Sequence, residues 1–429
     1  KKKAGNDNLN NKSTSNLHIN VLPTSKFKTT TITLKFMAPL NQDTVTERAI
    51  LSKLLMRATK KWPSDKALNR RLSELYGAYV NSFVSKFKDK HVITISLELV
   101  NEKYLKDTTP LFEQGIKLLT EIIWNPLITN QQFDEGFLAQ EKSLLTKKLA
   151  AIEDNKSQLA FLNLLKNMFG DQPYSQLASG QVENIAHISS ASLYDTYQSM
   201  ITNDFCAIYV VGNVDERQVK NYIQQYFQIQ PSHFDTFATV EPVATEHKPN
   251  VIIEYDEIDQ AKLNMGFEFP VTYGSEAYFA LVVFNMMFGG DPSSVLFNEV
   301  RERQSLAYSI HSQLDTKNGY LFVLSGVSAD KYQVAQETII KEFEKFKFGE
   351  FSDEKLELAK KVIISQRHEG EDRPKSIIER MNNNLLLTTY MTDQSYVDAI
   401  MQVTREQIIE LVNAATLNTI YILTKGGEA

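Results

Sequence analysis

Seven histidines and one cysteine are the residues of this 429-residue chain from which metal or nucleophile chemistry would ordinarily be built. One histidine/acid cluster occurs, His368-Glu369 with Glu371 and Asp372, in which His368 and Asp372 could share a helix face and hold a cation. Gly370 interrupts it, and a solvated charged turn suits the same residues. His91, His187, His233, His247 and His311 are scattered and lack partner spacing. Cys206 sits in the apolar run Phe205 to Val211, which reads as a buried strand, and burial in apolar surroundings makes a thiol inert. The chain has no G-x-x-x-x-G-K-[ST] phosphate loop, no G-x-S-x-G elbow and no Cys-x-x-Cys pair.

Composition narrows the classes further. With 42% hydrophobic residues over this length, the chain can bury two or more cores. The net charge of −6 comes from acids and bases mixed along the sequence, without the clustered positive excess that nucleic-acid binding requires. A single cysteine cannot form an internal disulfide, so a reducing, cytoplasmic compartment is expected. No stretch approaches the roughly 18 to 20 apolar residues that span a bilayer, and no membrane partner is expected. Lys1 to Ser15 are polar, without an apolar segment resembling a signal peptide, and read as a disordered lead-in.

The elements that must position any site are written twice. Ile32, Leu34 and Phe36 alternate with Thr31, Thr33 and Lys35 and end at Pro39, the pattern of a half-buried strand closed by a turn. Leu263, Met265, Phe267 and Phe269 repeat it, ending at Pro270. A helix-like segment follows each strand, Ala49 to Ala58 and Ala277 to Phe288. A helix-to-strand stretch comes next, ending in Gly77-Ala78-Tyr79-Val80 and in Leu306-Ala307-Tyr308-Ser309. Alternating Ile93, Ile95, Leu97 and Leu99 precede amphipathic segments Tyr104 to Trp124 and Asp134 to Ile152; Tyr320 to Val327 precede Tyr332 to Phe346 and Asp353 to Leu387. Short apolar strands close both halves, Ala207 to Val210 and Thr419 to Ile422. The pattern predicts an α+β fold of two duplicated domains, 16–227 and 251–429, each an antiparallel-rich sheet packed by helices. Residues 228–250, with three prolines and little periodicity, are expected to link them.

The run Ala49-Ile50-Leu51-Ser52-Lys53-Leu54-Leu55-Met56-Arg57-Ala58-Thr59 resembles the zinc helix of the pitrilysin/insulinase family of inverted zincin peptidases. Its pattern is H-x-x-E-H with an apolar, basic tail; the histidines bind zinc and the glutamate activates the metal-bound water. Laid on that motif, Ala49 and Lys53 occupy the histidine positions and Ser52 the glutamate. Phe133-Asp134-Glu135-Gly136-Phe137-Leu138-Ala139-Gln140-Glu141-Lys142 is similar to the family's later helix F-D-x-x-x-L-x-x-E-K-x-x-x-x-x-E. That alignment puts Lys148 where the third ligand stands and leaves Glu141 as the accessory acid. Alanine offers no ligand atom, a charged ammonium has no free lone pair, and serine cannot replace the carboxylate as a base unless activated. The resemblance therefore implies a chain that binds no zinc of its own.

The second-domain signature is better kept. Phe288-Gly289-Gly290-Asp291-Pro292-Ser293-Ser294-Val295-Leu296-Phe297, followed by Val300-Arg301-Glu302-Arg303 and Leu306-Ala307-Tyr308-Ser309, resembles the family's Gly-Gly loop and Ser-Ser cap, with Ser293 expected to cap the helix. Arg301, and Tyr308 seven residues on, match the pair that in active relatives reaches over the facing zinc site to hold substrate or a developing oxyanion. Without the resemblance they read as a surface charge and a half-buried strand residue. The sequence is similar to the non-catalytic branch of the family, the inactive subunit of heterodimeric bacterial peptidases, and Asn16 to Thr24 with Phe27 to Thr30 looks like that branch's first hairpin. The resemblance implies half of a clam-shaped chamber and a catalytically active homologous partner that supplies zinc and base for cleaving short or unfolded peptides. This chain would supply Arg301, Tyr308 and chamber wall, with a homodimer open to it when the partner is absent. Two alternatives stand beside this: a purely structural or binding subunit, and an active peptidase with an unrecognised site.

Overall fold

The computed structural model describes residues 17–230, 234, 236–238, 240–243 and 248–426. The lead-in expected at 1–15, together with Asn16, His233 and His247, lies outside them.

The first half runs β1 (His18–Pro23), β2 (Thr29–Pro39), α1 (Val45–Leu54), α2 (Asp65–Glu74), β3 (Tyr79–Phe87), β4 (Lys90–Val100), α3 (Leu111–Trp124), the two-residue strands β5 (Ile128–Thr129) and β6 (Gln132–Phe133), α4 (Glu135–Asp154), α5 (Lys156–Phe169), α6 (Val182–Ile185), α7 (Ser190–Asn203), β7 (Phe205–Gly212) and α8 (Glu216–Tyr226). The second runs β8 (Asn250–Asp256), β9 (Gln260–Glu268), α9 (Glu276–Phe288), a π-helical turn Phe297–Arg303, β10 (Ala307–Asp315), β11 (Tyr320–Ser328), α10 (Tyr332–Lys347), α11 (Asp353–Gly370), α12 (Pro374–Leu386), α13 (Asp393–Gln402), α14 (Arg405–Asn413) and β12 (Thr416–Lys425).

The duplication read from the sequence is written in the strand order. One five-stranded sheet is ordered β1-β7-β2-β4-β3 and the other, read from its far edge, β8-β12-β9-β11-β10. In each, the outermost pair is parallel (β1 with β7, β8 with β12) and the rest are antiparallel. The first hairpin expected from the family is therefore not formed: β7 lies between β1 and β2, because a parallel β1 needs its partner from the far end of the half. Pro374 begins a new helix within the segment read as continuous from Asp353 to Leu387. Strand β8 carried no clear sequence signal. The described part of 228–250 is packed rather than free. Phe234 and Phe237 lie against Phe205 and Phe87, the Tyr320 hydroxyl donates to Val240 O, and Val243 N donates to Met168 O.

One face of each sheet is sealed by its own helices; the other is sealed by a helix from the opposite half. On β2, Ile32, Leu34 and Phe36 enter the first core, as their spacing predicts. Thr31, Thr33 and Lys35, expected to meet solvent, are 8%, 4% and 3% exposed, because α12 crosses this face. Ile377, Ile378 and Leu386 of α12 pack there with Val92, Ala207 and Val211. Reciprocally, Ala160, Leu164 and Met168 of α5 pack against Phe322, Tyr421 and Leu423 of the second sheet. The polar contacts of the exchange correspond too. Tyr209 on β7 donates to Asn382 Oδ1 of α12 at 2.8 Å, and Asn163 of α5 donates to the Tyr421 hydroxyl of β12 at 2.8 Å. Burial lowers the pKa of Lys35, opposed by Glu379 of α12, whose carboxylate lies 2.7 Å from its ammonium.

Asn382→Ala should leave the buried Tyr209 hydroxyl without an acceptor and cost about 1–3 kcal/mol. Urea unfolding should place the Asn382→Leu/Tyr209→Phe double variant nearer the wild type than that single variant, since neither partner is then stranded.

Candidate functional site

Helix α1 is built to be buried: Val45, Ala49, Ile50, Leu51 and Leu54 all face the first core or its margin. Its register is set by Arg48. Arg48 Nε donates to His91 Nδ1 at 3.0 Å, and Nη2 donates to Asp204 Oδ2 at 2.7 Å, tying α1 to β4 and to the start of β7. His91 Nε2 lies 2.8 Å from Ala178 O. The imidazole is thus held neutral, with Nδ1 accepting and Nε2–H donating. Burial and the Arg48 cation push its pKa down to about 3 against the Ala178 hydrogen bond.

The residues that the resemblance aligns with the family's ligand positions lie on α1 and α4, which pack together. Ala49 and Ser52 are buried, and the Ser52 hydroxyl donates to Ala49 O at 2.8 Å, satisfied within its own helix. The stem of Lys53 reaches the surface, but its ammonium turns in to donate to Ser82 O on β3. Its pKa is lowered, first by partial burial and then by Lys148, with Glu141 opposing. Helix α4, capped by Asp134 on Phe137 N, presents Glu141 and Lys148 to this place. Glu141 is buried and is held by Arg57 at 2.6 Å, which also reaches Asp65 at 3.1 Å.

The donor set does not fit zinc. One carboxylate remains and is engaged by a guanidinium, while two ammonium groups stand where neutral imidazole and carboxylate would have to be. Among the described residues no three His, Cys, Asp or Glu side chains are grouped to hold a metal. His368 pairs with Glu371 at 3.3 Å on the surface, while Asp372 is taken by Lys26 at 2.7 Å. Cys206 is buried, and burial raises its thiol pKa well above the ordinary range.

On the second half the glycine loop approaches its neighbours closely. A Cβ on Gly289 would lie 2.9 Å from Ser312 N, and one on Gly290 3.0 Å from Asn285 O. Ser294, not Ser293, receives the Phe297 N–H; Ser293 Oγ donates to Asp291 instead. Arg301 lies on the π-helical turn with its guanidinium 4.6 Å from the Phe297 ring centroid and 3.6 Å from Glu302. Tyr308 lies on edge strand β10, is 58% exposed, and accepts from Ser328 Oγ at 3.2 Å. The two sit on adjoining elements, each with partners of its own.

Sequence reasoning passed over Arg48, whose buried cation is signalled only by a charge within an apolar helix. It also passed over the threonine-lined face of β2, signalled by Thr29, Thr31 and Thr33 at strand spacing.

Two outcomes follow. Between pH about 6.5 and 3 the unfolded chain accepts a proton that folded His91 refuses, so its stability contribution is complete above that window and is lost as pH falls through it. The slope is about 1.4 kcal/mol per pH unit at most, and urea midpoints of His91→Gln should decline less steeply from pH 7 to 5 than those of the wild type. Equilibrium dialysis against micromolar zinc should load the wild type well below one equivalent, whereas Ala49→His/Ser52→Glu/Lys53→His/Lys148→Glu should take up about one.

A family model described as "Peptidase M16 inactive domain" matches residues 187–363. A Bacillus subtilis protein named "Probable inactive metalloprotease YmfF" is 36% identical over 96% of this chain and 96% of its own. The crystal structure of a conserved protein from Enterococcus faecalis V583 superposes with a TM-score of 0.89 at 30% identity, covering 96% of this chain and 97% of that one. A structure from Pseudomonas fluorescens described as a peptidase M16 inactive domain superposes at 0.77 with 16% identity over 95% and 96%, a likeness of fold.

Proposed function

The chain belongs to the M16 peptidase family, as an inactive metalloprotease homologue, and from that premise we propose that it is the non-catalytic subunit of a heterodimeric zinc peptidase acting on short or unfolded peptides. The observation that carries the proposal is the state of the former metal site. Lys53 is satisfied by the Ser82 carbonyl and Glu141 by Arg57, so the site is a finished piece of structure rather than an unfilled one. Any metal chemistry must then come from another chain.

Arg301 and Tyr308 support a continuing substrate-facing role. Both project from the surface of the second half on adjacent elements, where a facing subunit could place a peptide. A phenol and a guanidinium can donate to a peptide carbonyl or to the oxyanion that develops on it. The partner would supply zinc and the general base. The absence of a base and of three ligands argues against an independent peptidase.

Co-purification from the native cell should recover a relative carrying H-x-x-E-H. In the reconstituted pair, Arg301→Ala or Tyr308→Phe should lower turnover roughly 10²-fold without dissociating the subunits. Unchanged turnover with both variants would favour a structural or binding subunit, and chelator-sensitive cleavage by the lone chain would overturn the assignment.

A further inference from the structure

The face of β2 and β4 turned away from the first core meets the start of α12 across a cavity of about 550 Å³. Three independent features make it a place for an anion. The first is the helix. The 13-residue α12 has Arg373 at its N-cap without a side-chain cap. Pro374 carries no N–H, and the Arg373 and Ile377 N–H groups are bonded to Gly370 O and Arg373 O. The first turn therefore borders the cavity with the N–H groups of Lys375 and Ser376 unclaimed among the described residues and with the positive end of its dipole.

The second is charge. Of the lining acids, Asp372 is paired with Lys26 and Glu379 with Lys35, both at 2.7 Å. Glu98 alone remains to oppose Lys28, Arg373 and Lys375. Arg373 reaches Glu369 only at 4.0 Å, and the Lys375 ammonium rests 5.1 Å from the Phe83 ring.

The third is a stranded hydroxyl. Thr94 alternates with core residues Ile93 and Ile95, so its side chain stands on the cavity face of β4. It is 2% exposed, and its Oγ1 has no hydrogen-bond partner among the described residues. A buried hydroxyl normally finds a partner; the neighbouring pair Thr33 and Ser96 find each other at 2.9 Å.

A lone ion would occupy little of this space, which falls within the size of pockets that hold organic ligands. Phe27, Phe83 and Ile378 line it with apolar surface beside the cationic end. The ligand should therefore carry a negative group on a partly apolar chain. We propose that the cavity receives the free C-terminal carboxylate of a short peptide, the start of α12 and Lys375 holding the charge and Thr94 donating to it. The inference rests on the proposed function only for choosing a peptide as the bearer of the carboxylate.

The test uses the full chain without any partner and a fluorescein-labelled alanine pentapeptide ending in leucine, as free acid and as C-terminal amide, read by anisotropy. The free acid should bind saturably and the amide about tenfold more weakly. Lys375→Gln should weaken the free acid about tenfold. Thr94→Val should weaken it about threefold while leaving the thermal midpoint equal or higher, because valine removes an unpaired hydroxyl without opening a void. No binding, equal binding of acid and amide, or indifference to Thr94→Val would each overturn the proposal. Displacement by sodium acetate at the concentration of the peptide would assign the site to small carboxylates and overturn the peptide. Since zinc, partner and turnover play no part, failure here leaves the subunit assignment standing, and loss of that assignment leaves this binding measurement intact.

Discussion

The reciprocal exchange of α5 and α12 is the contact on which the rest of the molecule depends. Each sheet has one face that its own helices leave open, and among the described residues a helix of the other half, α12 or α5, supplies much of the apolar surface that closes it. Separating the halves would bare both faces at once and strand the Tyr209–Asn382 and Asn163–Tyr421 pairs, so the two units are bound more tightly than domains joined by a linker. The packed segment around Phe237 and Val243 strengthens the seam. The same exchange aims the first turn of α12 at the threonine face of β2, and so creates the charged cavity there.

Helix α1 is held by contacts that do not involve the residues aligned with the family's zinc motif. Its inward side chains are part of the first core, and Arg48 bolts it to His91 and Asp204. Three residues at the motif positions could change without disturbing that work, since Ala49 is small, Ser52 closes a bond within the helix, and Lys53 finds a carbonyl. Loss of a buried apolar position such as Leu51 would have removed the helix itself.

Alternation along β2 and β9 and the repeated order of elements made the fold class and the duplication legible, because strand periodicity is a local property of the chain. The closeness of Lys53 to Lys148 was implied by the resemblance of their two segments to the family's motifs, not by spacing within this chain. The exchange was not. Ala160, Leu164 and Met168 announce an apolar helix face, but such a face says only that something covers it, not which sheet. For the same reason Thr31, Thr33 and Lys35 looked solvent-facing: polarity on one side of a strand is compatible with water or with a helix that brings its own polar groups. Strand β8 hid behind its setting, a short run next to acids and prolines whose Val251, Ile253 and Tyr255 stay exposed.

The clasp of Arg57 on Glu141 bears on what a metal would demand. A single replacement toward a metal site, Lys53→His for instance, would meet the Lys148 charge and an acid already claimed. Some replacements would unsettle a buried carboxylate. Metal binding here would therefore take several coordinated replacements, because each one alone meets a charge or a bond already in place.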